Sequence, residues 1–148
     1  MKDNVTPFRP RRPQRPAPKR SDPLKSHRGK VVIVHLLTLA AFAIYLLTRA
    51  PITFLGLAFG IAAIAIASSN RREGMPWATT HHEQALRTIV IGAAVWTLGS
   101  LLAFIPGMGS VSFGITIVVG LWVLLRAGVG LVLGGLRKPV PNARGMLI

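Results

Sequence analysis

The sequence predicts an all-α, multi-pass membrane protein with four transmembrane helices, and three observations predict it. Of its 148 residues, 51% are hydrophobic and only 15% charged. The mean hydropathy is +0.50. The apolar residues are also blocked rather than mixed, nearly all of them lying in 31–69 and 86–136. The lack of Cys excludes a disulfide framework, a thiol nucleophile, an iron–sulfur cluster and Cys-ligated zinc.

Residues 1–30 read as a disordered cationic tail. They carry ten Lys or Arg, two Asp and six Pro. Proline removes backbone donors and favours extended conformers, like charges repel, and little apolar surface is available to offset the entropy of ordering. No small-residue cleavage site follows, so the first apolar segment is expected to stay attached. That segment, Val31–Thr48, is uncharged and about 27 Å long as a helix, against a hydrocarbon core of roughly 30 Å. Arg49-Ala50-Pro51 interrupts it, because Pro disfavours helical geometry before it and suits the first turn of a new helix. Ile52–Ala67 is the second segment, closed by Ser68-Ser69-Asn70 and Arg71-Arg72. Its length fits either a full span or a re-entrant hairpin with the first segment.

Gly74-Met75-Pro76 reads as a turn that presents Trp77 to the membrane interface. Thr80 and Glu83 form a capping-box pattern, with a short amphipathic helix start at residues 79–86 leading into the third segment, Leu86–Ile105. Pro106-Gly107-Met108-Gly109-Ser110 is an uncharged turn, and residues 111–136 form the fourth segment, interrupted once by Arg126. An Arg at mid-membrane costs roughly 2.5–3.5 kcal/mol, whereas each Leu, Ile, Val or Phe returns about 0.3–0.6 kcal/mol. Ten of the fifteen residues from Val111 to Leu125 are of those types, so insertion is favoured. Two geometries fit: a span ending near Arg126 with Gly128–Leu136 in the interface, or one long tilted helix whose Arg126 snorkels to the headgroups. The domain division is then a tail (1–30), a membrane-embedded four-helix domain (31–136) and a short cytoplasmic C-terminal segment (137–148).

Charge placement sets orientation. With four crossings, the tail, the loop bearing Arg71, Arg72 and Arg87, and the end bearing Arg137, Lys138 and Arg144 share one side. Together they hold 16 of the 18 basic residues. The positive-inside rule places that side, and both termini, in the cytoplasm.

Trp77 to Thr88 (WATTHHEQALRT), Arg126 with Gly130, and Arg137-Lys138-Pro139-Val140-Pro141-Asn142 resemble a family of small bacterial inner-membrane proteins of unknown function. That family is grouped distantly with a Tic-type four-helix component of chloroplast inner-envelope protein import. In its pattern a Trp, a Ser-His pair and an Ile-Arg-Thr triplet open the third helix, and Arg-x-x-x-Gly lies in the last. His81, Arg87, Thr88, Arg126 and Gly130 match. Thr80 stands where Ser is usual, Glu83 where a basic residue is common and Ala85 where Gln is common. The resemblance covers roughly residues 31–142 and implies a cell inner-membrane location.

Among individual residues, His81-His82-Glu83 has the wrong spacing for a metal site, since adjacent helical residues point about 100° apart and no partner His stands at i+4. No metal and no cofactor is expected. Glu83 and Arg87 form an i, i+4 pair. If Arg126 has a carboxylate partner near the membrane, it is Glu73 or Glu83, and an Arg126–Glu83 contact with His81 nearby competes with snorkelling to lipid phosphate. Gly56-x-x-x-Gly60 and Gly130-x-x-x-Gly134 permit close helix approach, within the chain or between copies in a homo-oligomer. His35 and Tyr45 are read as hydrogen-bonding neighbours or sitting near an interface.

The tail suits anionic lipid headgroups, each juxtamembrane Lys or Arg contributing about 1 kcal/mol. With one aromatic, Phe8, it lacks the stacking residues of a nucleic-acid binder, and no nucleic acid is expected. Paired carboxylates, a Ser/His/Asp arrangement and a phosphate-binding Gly loop are missing, which argues against an enzyme. The expected function is that of a non-enzymatic interaction, scaffold or assembly factor with a membrane protein partner. The alternative is a pore or transporter subunit, which the import-component resemblance keeps in view.

Overall fold

The computed structural model describes residues 26–48, 54–72 and 75–145. The expected disorder of residues 1–25, the Arg49–Pro51 break, and Glu73 and Gly74 lie outside the described residues. The fold is all-α, with helices α1 (His27–Thr48), α2 (Phe54–Asn70), α3 (Pro76–Leu102) and α4 (Gly109–Gly135).

Each boundary has a local cause. α1 begins four residues before the apolar segment because Ser26 caps it: its Oγ accepts from the Gly29 amide at 3.0 Å and its carbonyl from Lys30 at 3.0 Å. α3 begins at Pro76, a full turn before the predicted capping box. Pro at the first helical position has no amide hydrogen to leave orphaned, and Met75 before it is extended (φ −61°, ψ 152°). Thr80 and Glu83 are therefore interior to the helix and cap nothing, which corrects the capping-box reading. Gly107 at φ +83° makes the turn between α3 and α4. α4 runs unbroken through Arg126 to Gly135, as the single long helix of the second geometry.

α1, α3 and α4 are long and apolar enough to cross a membrane, while α2, at 17 residues, is a shorter apolar helix. At 1.5 Å per residue, the 27 residues of α3 and of α4 give about 40 Å each. A hydrocarbon core of about 30 Å leaves roughly 10 Å of each helix for the polar boundary.

Packing is organised by α1, which touches the other three helices; α2 and α4 do not meet. Small residues let α4 approach. A Cβ at Gly134 would strike Val31 of α1, and one at Gly120 would lie 2.7–2.9 Å from Leu46. The Gly130–Gly134 pair is thus an intramolecular contact, as sequence reasoning allowed. Gly56 is buried, but around Gly60 an added Cβ would find open space.

The polarity of the bundle is inverted relative to a soluble one. Its largest fully buried side chains are Arg126, His35, His81, His82 and Gln84, whereas Phe54 (83% exposed), Phe104 (85%) and many Leu and Val face outward. Only 28–33% of the most apolar window of each long helix is buried. Such an exterior would aggregate in water and is stable against lipid, where helices associate by close packing and internal polar contacts. The molecule reads as a multi-pass membrane protein.

Gly92 tests this packing, because a Cβ there would lie 2.6 Å from Val123 Cγ2 and 3.0 Å from Phe42. Overpacking costs about 1–3 kcal/mol and the gain in helix propensity returns about 1 kcal/mol. Gly92→Ala is expected to lower the melting temperature in detergent. Gly60→Ala, with nothing within 4 Å, should leave it unchanged or raise it, and parallel thermal unfolding of the two variants checks the opposite signs.

Candidate functional site

The start of α1, the end of α2, the start of α3 and the end of α4 meet at one end of the bundle, and most of the buried polar side chains gather toward it. The motif residues of α3 and α4 share a purpose that only the fold reveals: most of them hold the segment after α4, which turns back across the end.

The reversal starts at Arg137, the residue after the α4 cap, which adopts a left-handed conformation (φ 56°). Its amide donates to Gly134 O at 3.1 Å and that of Lys138 to Leu133 O at 3.0 Å, closing the helix in the manner usually given to glycine. Residues 138–145 then form a strap. His81 Nε2 donates to Lys138 O at 2.8 Å. The Val140 amide donates to Thr80 Oγ1 at 3.1 Å, and the Val140 side chain is buried. Arg87 Nη1 reaches Arg144 O at 3.3 Å, and Arg126 Nη2 lies 3.5 Å from Ala143 O. Asn142 stiffens the far end by accepting the Gly145 amide at its Oδ1 (2.9 Å).

Beneath the strap lie two hydrogen-bond chains. In the first, Lys138 O can only accept, so His81 Nε2 bears a hydrogen. In the neutral ring Nδ1 is then the acceptor for His35 Nε2, 3.1 Å away, and His35 Nδ1 is left as a buried lone pair without a partner. The His35 ring fits only because position 130 is glycine; a Cβ there would be 2.7 Å from either ring nitrogen. Trp77 sets its ring edge-on to His81, with centroids 6.0 Å apart.

In the second chain Arg126 Nε donates to Thr88 Oγ1 at 2.9 Å, and Thr88 passes its own hydrogen to Gln84 O at 2.7 Å. Gln84 Nε2 returns to Arg126 O at 3.3 Å, and the guanidinium lies 5.6 Å from the Trp122 ring centroid. Arg126 is 2% exposed; it faces the bundle interior instead of snorkelling outward.

Glu83 is engaged elsewhere. Its carboxylate oxygens pair with Arg71 Nε at 2.7 Å and Arg87 Nε at 2.8 Å, at the surface. The i, i+4 pair with Arg87 forms, and the expected Arg126–Glu83 contact does not. The reason is position: Glu83 is on the outer face of α3 beside the end of α2, whereas Arg126 faces Thr88 and Gln84 on the inner face.

His81, Arg87, Arg126, Gly130 and Trp77 are thus brought to one site. Glu83 joins through Arg87, and Gly56 and Gly60 lie apart, lining a hollow of about 360 Å³ between α1, α2 and α3. His82, Gln84 and the strap carbonyls escape sequence reasoning. Gln84 and His82 look like solvated polar residues in a helix start, and a backbone acceptor carries no side-chain signal. Among the described residues no group of three or more His, Cys, Asp or Glu is placed to hold a metal ion. No family profile, curated protein or solved structure matches this chain.

His81→Ala removes the donor to Lys138 O and leaves that carbonyl unpaired, a change of about 1–2 kcal/mol in holding the strap. Opening should rise roughly 5- to 30-fold. The expected outcome is faster tryptic cleavage after Arg137 and Arg144 in the folded, detergent-solubilised protein, followed by intact mass. Thr80→Val, which orphans the Val140 amide, should act in the same direction.

Proposed function

We propose that this protein is a non-enzymatic scaffold or assembly factor of the bacterial cytoplasmic membrane. It crosses the bilayer four times with both termini in the cytoplasm and belongs with the import-component-like family whose motifs it resembles. The observation that supports this reading best is the strap. The side chains of His81, Thr80, Arg87 and Arg126 all reach backbone atoms of residues 138–144, so a short cationic segment is fixed across the end of the bundle as a constant surface. Such a surface suits docking of a membrane protein partner, while the basic tail, leading into the same end, attracts anionic headgroups.

A pore or transporter subunit is the second reading. It draws on two hollows, of about 300 and 360 Å³, on either side of the Tyr45–Trp96 pair. Joining them into a path requires further copies of the chain, which makes oligomerisation part of this reading.

Purification in mild detergent is expected to bring down a partner in fixed stoichiometry, and the His81→Ala variant should lose it. Solute flux in liposomes containing this protein alone would instead favour the transporter. Fluorescent-protein and alkaline-phosphatase fusions check orientation: both ends should fluoresce, and neither should show phosphatase activity.

A further inference from the structure

His35 and His81 satisfy each other and the strap, but a third histidine is unexplained. His82 is 1% exposed, and both of its ring nitrogens are buried without a hydrogen-bond partner. A neutral imidazole carries one donor and one lone pair, and an imidazolium two donors. Burying both atoms unmet is the kind of exception that points to a missing ligand.

The packing register locates the ring. Val34, Ala67 and Ala85 form an apolar knot where α1, α2 and α3 meet. One turn nearer the polar end, the same three helix faces carry Lys30, four residues before Val34, Asn70, three after Ala67, and His82, three before Ala85. Lys30 Nζ donates to Asn70 Oδ1 at 2.5 Å, closing one side of this corner. A further turn out on α1, His27 has its Nδ1 buried without a partner. Lys30 and His27 are both near enough to act electrostatically on His82. The first turn of α1 starts at the same place; Ser26 accepts the Gly29 amide at Oγ and the Lys30 amide at its carbonyl, so the helix start brings the positive end of its dipole to the corner. The one nearby carboxylate among the described residues, Glu83, already has two arginines, so the corner is cationic.

We propose that the corner formed by Lys30, His82 and His27 is a binding site for a phosphate oxyanion, supplied in the membrane by the phosphodiester of an anionic phospholipid. Lys30 contributes charge, His82 and His27 contribute ring N–H donors, and the positive end of the α1 dipole adds to the attraction. Lipid is the favoured source because the corner lies where the outward apolar surface ends. Leu36, 47% exposed, is less than two turns below Lys30 on α1, so an acyl chain can follow the helix while the headgroup enters the corner. The site is separate from the strap and does not rest on the docking reading.

The test uses the full chain in a mild non-ionic detergent, with phosphatidylglycerol, phosphatidylcholine and inorganic phosphate as three separate probes, read by native mass spectrometry and by ¹⁵N shifts of the histidine rings. Phosphatidylglycerol is expected to bind at least fivefold more tightly than phosphatidylcholine and to move the His82 ring signals while leaving those of His35 in place. His82→Ala and Lys30→Gln should each weaken it fivefold or more, and Lys138→Gln, which removes a cation at the same end but outside the corner, should change it less than twofold. Should His82→Ala fail to fold, Lys30→Gln at its half-buried position carries the comparison. Equal loss in Lys138→Gln and Lys30→Gln would reduce the effect to diffuse surface charge and overturn the site. Unmoved His82 signals on lipid addition would overturn it as well. Inorganic phosphate binding as tightly as phosphatidylglycerol would overturn the lipid source.

Discussion

In a hydrocarbon surrounding, a polar group inside the bundle cannot turn to bulk water and needs a partner there, and this requirement shapes the polar end of the molecule. Arg126 is the most demanding case, a guanidinium 2% exposed. It is met by Thr88, by the Ala143 carbonyl and by the face of Trp122. His81 likewise depends on Lys138 O. The strap therefore belongs to the core: without its carbonyls, donors on α3 and α4 would face apolar side chains, where an unpaired group costs several kcal/mol. Conversely, the strap has little apolar content beyond Val140 and is held mainly by those donors. Core and strap therefore stabilise each other.

Helix length reconciles this polar end with an apolar exterior. Nine residues separate Arg126 from the end of α4, about 13 Å. The roughly 10 Å by which α3 and α4 exceed the hydrocarbon core brings Arg126 and His81 close to the headgroup boundary. There the penalty for a charge is far smaller than at the bilayer centre. The insertion arithmetic for Arg126 treats it as fully embedded, so it overstates the cost, and the continuous α4 follows.

The helices were legible because their signals are long and one-dimensional: uninterrupted apolar runs, a Pro-Gly turn, a polar gap between residues 70 and 86. Their starts were not. Ser26 is hidden in a Lys/Arg-rich stretch whose composition outweighs a single cap, and Pro76, which follows Gly74-Met75 as a turn residue would, opens α3. In the site, motif matching found His81, Arg87, Arg126 and Gly130, and the acid count singled out Glu83 as a partner for Arg126. That count failed because it considered only carboxylates. A buried guanidinium has five donors, and a threonine hydroxyl and backbone carbonyls meet them without desolvating a carboxylate as well. His35 illustrates a different limit, since its pairing with His81 spans 46 positions and depends on the absence of a side chain at Gly130.

Arg137 shows how closely the chain end is tied to this arrangement. A left-handed conformation costs a non-glycine residue about 1–2 kcal/mol, and glycine is the usual solution after a helix. Here two contributions favour arginine. A cation just beyond the α4 carboxyl end gains about 0.3–1 kcal/mol from the helix dipole, and a basic side chain close to an anionic leaflet gains about 1 kcal/mol more. Their sum is comparable to the backbone cost, so near an anionic membrane surface the two together offset it. Gly134, three residues before Arg137, allows the last turn of α4 to approach Val31 and His81, bringing the reversal close enough for Lys138 O to meet the imidazole. Side-chain charge therefore offsets the strain of the turn, and the missing side chain at Gly134 brings the strap within reach of the core.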